Sequence, residues 1–192
     1  MKLGCKSSHG RGLTCSFTGY RPSKLPFKNN YNCEEYKLLC EALEKEIRLM
    51  INNGVKFFLT GMAQGVDMIC GEIILKLKKE FDIHLFCVIP CKNHFLGWDS
   101  RNMVVYNKLI AEASGVVYTS EEEYSKGCMM KRNRYLVDNA ECILAVFDGQ
   151  KGGTMFTVNY AKKMKKTIVI INPNDYTKVE LVHGEDKGVM YV

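Results

Sequence analysis

Apolar residues recur along this chain in two alternating rhythms. Six short stretches, 14–18, 55–60, 83–89, 115–119, 142–147 and 167–171, are mostly apolar and strand-length. Runs of this kind suit strands buried on both faces of a sheet. Between them, apolar residues return every three or four positions, the spacing of one helix face. One such stretch carries Tyr36, Leu39, Cys40, Leu43, Ile47, Met50 and Ile51; the next carries Val66, Ile69, Cys70, Ile73, Ile74 and Leu77.

Local signals punctuate the rhythm. Asn32, with Glu35 three residues on, forms a capping-box-like pair, and Asn52-Asn53-Gly54 supplies a helix stop. Asp99 or Ser100 caps a third helix that runs to about 114, and a fourth spans 128–139 with Leu136, Val137 and Ala140 turned inward. Gly152-Gly153 opens a fifth, with Phe156, Tyr160, Ala161 and Met164. Ser120-x-x-Glu123 matches a capping box, but the segment is short enough to be a loop. Strand alternating with helix predicts an α/β fold with a mostly parallel sheet covered on both faces. The whole of 1–192 reads as one domain, with 1–13 a flexible N-terminal extension and 174–192 a tail that adds an edge strand at 188–192.

Composition narrows the class. A chain of 192 residues, 46% hydrophobic and 25% charged, is an ordinary globule with room for one sizeable core. No apolar run is long enough to span a bilayer, so no membrane partner is expected. The N-terminus lacks an apolar stretch of the signal-peptide kind. Nine cysteines, an odd number scattered through helices and strands, fit core thiols in a reducing, cytoplasmic setting. The net charge of +6 permits an anionic partner, but much of it sits in Lys162-Lys163-Met164-Lys165-Lys166, the pattern of a solvated helix face.

Sheets of this type bind ligands beyond the carboxyl ends of their strands. Three strands end there in glycine-bearing loops: Thr18-Gly19-Tyr20-Arg21, then Gly61-Met62-Ala63-Gln64-Gly65-Val66-Asp67, then Gly149 onward through Gly152, Gly153 and Thr154. Glycine allows tight turns and close approach, and a helix start adds unpaired N–H groups. A fourth element, Lys131-Arg132-Asn133-Arg134, leads a helix. Their convergence on one rim predicts a phosphate-tolerant pocket. Arg21, Arg132 and Arg134 suit bidentate phosphate contact, with a structural pair to Asp67 or Asp138 as the alternative for at least one. Asp67 complements a helix dipole or meets a ribose hydroxyl. Thr154 binds phosphate or caps its helix, and Trp98 lines the pocket or packs in the core.

A metal site is not expected. His84, Cys87, Cys91 and His94 are compactly spaced, but side chains three apart on a strand face opposite sides and cannot converge. A Cys91/His94 nucleophile pair lacks an orienting third group. Glu121, Glu122 and Glu123 read as a solvated face, so no catalytic residue is singled out.

Five segments taken together carry a resemblance: Cys15-Ser16-Phe17-Thr18-Gly19-Tyr20-Arg21-Pro22, Gly61 through Asp67, Val88-Ile89-Pro90-Cys91, Arg132-Asn133-Arg134-Tyr135 and Gly152-Gly153-Thr154. They stand in the order of the motifs of the YpsA-like proteins (the DUF1273 family), and the chain resembles that family from about Cys15 to Pro173. The family belongs to the SLOG superfamily, with the DNA-processing protein DprA and the LOG cytokinin-activating enzymes. The resemblance implies a Rossmann-like three-layer α/β/α fold, a bacterial or phage source, and a nucleotide or nucleotide-derived ligand at the strand ends. It points to Thr18, Gly19 and Arg21, to Gly61 through Asp67, to Arg132 and Arg134, and to Gly152 through Thr154; Pro90 and Asn133 lie within its motifs. Tyr20 stands where the family usually has histidine. LOG enzymes use the glutamate of a Gly-Thr-x-x-Glu motif for N-glycosidic cleavage. Aligning Gly153-Thr154 puts Thr157 there, and threonine has no carboxylate to offer.

These readings predict a binding module for an NAD- or ADP-ribose-like nucleotide or a cyclic nucleotide signal, acting as a sensor or sequestering protein. One alternative is a nucleotide N-glycosidase in which Asp67, Asp138 or Asp148 replaces the glutamate. Another is DprA-like single-stranded DNA binding through Lys162, Lys163, Lys165, Lys166, Arg132 and Arg134, although no platform of interleaved aromatics is evident. All three allow a homo-oligomer.

Overall fold

A computed structural model of the chain describes residues 12–182 and 185–190. In chain order the elements are β1 (Leu13–Gly19), α1 (Glu34–Asn52), β2 (Val55–Thr60), α2 (Val66–Leu77), β3 (His84–Ile89), α3 (Ser100–Glu112) and β4 (Gly115–Tyr118). There follow α4 (Cys128–Asp138), β5 (Cys142–Val146), α5 (Gly153–Lys163), β6 (Thr167–Ile171), β7 (Lys178–Val182) and β8 (Glu185–Met190). The eight strands form one sheet in the order β4-β3-β2-β1-β5-β6-β7-β8. Strands β1 to β6 pair in parallel, and β7 and β8 close one side antiparallel.

Alternation along the strands explains the three layers. Cys15 and Phe17 of β1, Leu85, Cys87 and Ile89 of β3, and Leu144 and Val146 of β5 point to one face, where they join Leu43, Ile47, Ile74 and Leu109 from α1, α2 and α3. Ile143 and Ile168 point to the other, against Val137 and Ala161 of α4 and α5. Leu59 and Val88 meet Leu136 on that same second face. Both faces of the central strands are covered, which is why they read as continuous apolar runs.

Some local alternatives are decided and others corrected. The N-cap of α1 is Cys33, in an extended conformation, with no side-chain cap bond. Asn32 belongs to the preceding turn, where its own N–H donates to Asn30 Oδ1 at 3.3 Å. At α3 the cap is Asp99, whose side chain accepts from Asn102 N–H at 2.8 Å. Residues 120–123 form a loop in which Ser120 Oγ accepts from Glu122 N–H at 3.3 Å, so no helix starts there. The tail does add an edge strand, β8, but it spans Glu185–Met190 and pairs in a hairpin with β7. Pairing with β7 covers the edge of β6, and the mostly buried ion pair Lys178 Nζ–Glu46 Oε1 at 2.8 Å ties β7 to α1. Of the expected flexible extension 1–13, residues 1–11 lie outside the described residues, as do 191–192, and Leu13 already opens β1.

The connections leave β1 in opposite directions, toward β2 on one side and, after the return crossover, β5 on the other. That makes the carboxyl ends of β1 and β5 the topological switch point, where open α/β sheets form a ligand crevice.

Candidate functional site

Three loops meet over the switch point. Gly65 has φ +89, and a Cβ there would collide with the carbonyl of Tyr20. The loop after β2 therefore lies directly on the loop after β1, and Val66 N–H donates to Tyr20 O at 3.3 Å. Gly61 permits a second close approach: a Cβ would overlap the Arg132 guanidinium. Arg132 reaches across from α4 and donates to the Gly61 carbonyl and to Asp67 Oδ2 at 3.1 Å. Asp67 also accepts from Ala63 N–H at 3.3 Å, and its carbonyl accepts from Thr60 Oγ1 at 2.7 Å. Burial pushes the Asp67 carboxyl up, opposed by the charges of Arg132 and Arg21. Burial likewise lowers Arg21, with Asp67 resisting and Arg132 reinforcing the fall.

A cavity of about 200 Å³ opens beside this pair. The end of β1 gives it Phe17, Thr18, Gly19 and Tyr20, and the following turn gives Arg21 and Lys24. Met129, Arg132, Asn133 and Leu136 of α4 enter at the spacing of one helix face. Gly152, Gly153 and Thr154 bring the N-terminus of α5, and Ala63 and Asp67 complete the lining. The first N–H groups of a helix lack intrahelical acceptors, so this corner is suited to an anion.

Tyr20 latches two of the loops. Its hydroxyl donates to Asp148 Oδ1 and accepts from Gln150 N–H at 3.2 Å. Burial and the Asp148 carboxylate push the phenol up to about 12. Burial works to raise Asp148, but bonds from Tyr20, Gln150 and Asn174 outweigh it and leave the carboxyl below its ordinary value. Lys24 Nζ, 5.8 Å from the Tyr20 ring centroid, reaches the Lys151 carbonyl at 3.4 Å.

Several expected site residues stand elsewhere. Gly61, the buried Met62 and Gly65 do not line the cavity. Pro90 is buried at the end of β3, two strands from β1, where its carbonyl accepts from Thr119 Oγ1 at 3.3 Å. Trp98 is partly buried and packs edge-on against His94 and Tyr106 at the margin of the core. Arg134 is exposed, with its guanidinium 5.7 Å from the Phe156 ring centroid and 6.0 Å from that of Tyr160. Two positions from Arg132, it lies on the far side of the helix. The structural partner of Arg132 is Asp67, whereas Asp138 accepts from Tyr160 at 2.9 Å.

Phe17, Lys24, Met129 and Leu136 were missed as lining residues. The 129/132/133/136 spacing was a readable signal once Arg132 was placed at the site. Lys24, three residues after Arg21 in a proline-led turn, was another.

His84 and Cys87 diverge, as strand geometry requires. His84 faces Ser114 Oγ at 3.5 Å, while Cys87 Sγ is buried against the Leu109 carbonyl at 3.7 Å. Among the described residues no helix is long and apolar enough to cross a membrane.

A parallel α/β sheet with cationic groups and a helix N-terminus gathered at its switch point defines a Rossmann-like protein. The chain belongs to the YspA SLOG family, whose YpsA family model matches residues 15–176. It is similar to a UPF0398 protein of Macrococcus caseolyticus (strain JCSC5402), 23% identical over 170 residues that cover 88% of this chain and 89% of that one. The SPbeta prophage-derived protein YoqJ of Bacillus subtilis (strain 168) is 32% identical over 118 residues, covering 55% of this chain and 69% of YoqJ. Among solved structures, DNA processing protein A of Helicobacter pylori, described for its single-stranded DNA binding mode, superposes with TM-score 0.61 at 20% identity. That match covers 84% of this chain and 66% of the Helicobacter chain. DprA of Streptococcus pneumoniae gives TM-score 0.61 at 16% identity over 84% of this chain and 50% of its own. The chain thus spans between half and two thirds of these DprA chains, and the likeness is one of fold.

Proposed function

We propose that the cavity binds an anionic nucleotide-derived ligand and that the protein acts as a sensor or sequestering module for it. One observation carries this reading. Arg21, Lys24 and the start of α5 at Gly153 and Thr154 border the same cavity as the apolar Met129 and Leu136. Phosphate suits the first group, and a base or sugar face suits the second. The Nε of Arg132, buried without a hydrogen-bond partner, adds support, since such a donor costs stability until something accepts from it. A volume near 200 Å³ is smaller than the roughly 300–1,000 Å³ of a typical ligand pocket, so it holds a phosphate and its neighbouring group while the rest of an NAD- or ADP-ribose-like molecule extends outward.

The groups available for hydrolysis favour binding over cleavage. Thr157, at the position of the LOG glutamate, donates back to the Gly153 carbonyl at 2.9 Å. The three candidate acids are each engaged: Asp67 by Arg132, Asp138 by Tyr160 and Asp148 by Tyr20. DNA binding draws on the likeness to DprA, but its charges are dispersed here. Lys162 and Lys163 lie in the last turn of α5, the opposite end of that helix from the cavity. Arg132 is buried in an ion pair.

Calorimetry with NAD, ADP-ribose, cyclic ADP-ribose isomers and nucleoside monophosphates tests the reading. Saturable binding to at least one is expected, weakened tenfold or more in Arg21→Ala and in Lys24→Ala. No saturable binding to any of them counts against it, and steeply salt-dependent oligonucleotide binding would favour DNA instead.

A further inference from the structure

We propose that Cys91 and Cys128 are a peroxide-oxidisable thiol pair that closes to a disulfide and fixes the start of α4 against the end of β3. Their Sγ atoms lie 3.6 Å apart, in van der Waals contact, and both side chains are buried. The two residues are 37 positions apart and belong to separate elements. Cys91 follows Pro90 at the end of β3, and Cys128 is the first residue of α4. A disulfide requires the sulfurs to close from 3.6 Å to about 2.05 Å, a movement of roughly 1.5 Å.

Other cysteine sulfurs meet different groups. Cys15 Sγ faces the Met50 sulfur at 3.7 Å, and Cys87 Sγ faces the Leu109 carbonyl. The 91/128 contact is the one in which two thiols touch among the hydrogen-bonded pairs of the described residues.

The chemistry balances with hydrogen peroxide as oxidant. One thiolate sulfur attacks the peroxide, giving a sulfenic acid and a first water. The second sulfur then attacks the sulfenic sulfur, the S–S bond forms and a second water leaves. Two thiols and one peroxide thus give one disulfide and two waters. Burial and the neighbouring Cys128 push the Cys91 thiol up to about 11, so the pair is mostly protonated at neutral pH. Met129 follows Cys128 directly and begins the cavity face of α4, so the cross-link sits at the root of that wall.

The test uses the full chain exposed to hydrogen peroxide, quenched with N-ethylmaleimide and digested without reduction for mass spectrometry. The expected product is a peptide pair linked through Cys91 and Cys128, reversed by dithiothreitol. A rise of several degrees in Tm should accompany it, because the closed loop is long. In Cys128→Ser both the linked peptide and the rise disappear. Absence of the linked pair in the unmutated, folded protein overturns the proposal, whether or not that variant folds. A linked pair without a rise in Tm overturns the claim that closure fixes α4.

Discussion

The Asp67 carboxylate and the Arg132 guanidinium meet at 3.1 Å, each side chain more than nine-tenths buried. They join the first turn of α2 to the middle of α4 across 65 positions of sequence. Breaking such a pair from one side strands a charge in a poorly hydrated place. We predict that Asp67→Asn or Arg132→Met each costs about 3–5 kcal/mol in urea unfolding, and that Asp67→Leu with Arg132→Met recovers much of the loss. A cost below about 1 kcal/mol for either single change would mean that the loops are held by something else.

Gly54 and Gly65 separate two kinds of glycine requirement. Both have positive φ, +95 and +89, but a Cβ at Gly54 meets nothing within 4 Å whereas one at Gly65 runs into the Tyr20 carbonyl. Gly54→Ala should cost about 1 kcal/mol from backbone strain alone. Gly65→Ala should cost clearly more and displace Arg21, read as a loss of ligand affinity beyond the loss of stability.

The Tyr20 hydroxyl is predicted to hold the 148–151 segment. Tyr20→Phe removes the bond to Asp148 and leaves Gln150 N–H with Asp148 Oδ1, at 3.2 Å, as its acceptor. A loss of about 1–3 kcal/mol is expected, with faster amide hydrogen exchange at Gln150. Unchanged exchange there would show that the segment is held without the tyrosine.

His94 sets a pH dependence. Burial lowers it below its ordinary value; the carbonyls of Cys91 and Met62 resist, and the charges of Arg132 and Arg21 lower it further. A histidine with a depressed folded value binds fewer protons folded than unfolded. Its neutral form leaves stability intact above the unfolded value near 6.5, and stability falls as pH drops below that. The urea midpoint should therefore fall between pH 7 and pH 5, and fall less in His94→Gln. An equal fall in both would assign the effect to other groups.

Much of the fold was legible because the central strands are covered on both faces, so their apolar runs stand out against amphipathic helices. Strand order was not legible, and the misplaced site residues follow from that. Pro90 ends a strand as Gly19 does, yet β3 lies two places from β1 and its end cannot reach the cavity. Trp98 was equally suited to core or cleft until His94 and Tyr106 claimed its faces. Arg132 and Arg134 share a residue type and a helix, but two positions on a helix point nearly opposite ways, a distinction the sequence contains. Asn32 looked like a cap by composition, but the turns before α1 carry the chain one residue further. Lys24 and Met129 become site residues only through what the sheet brings beside them.

The most direct test of ligand binding at the switch point is a crystal structure of the protein grown with ADP-ribose. Density is expected in the switch-point cavity, with a phosphate between Lys24, Arg21 and the N–H groups of Gly153 and Thr154, and an organic ring against Met129 and Leu136. Density for the ligand on another surface, or a cavity filled by ordered water at saturating ligand, would contradict it.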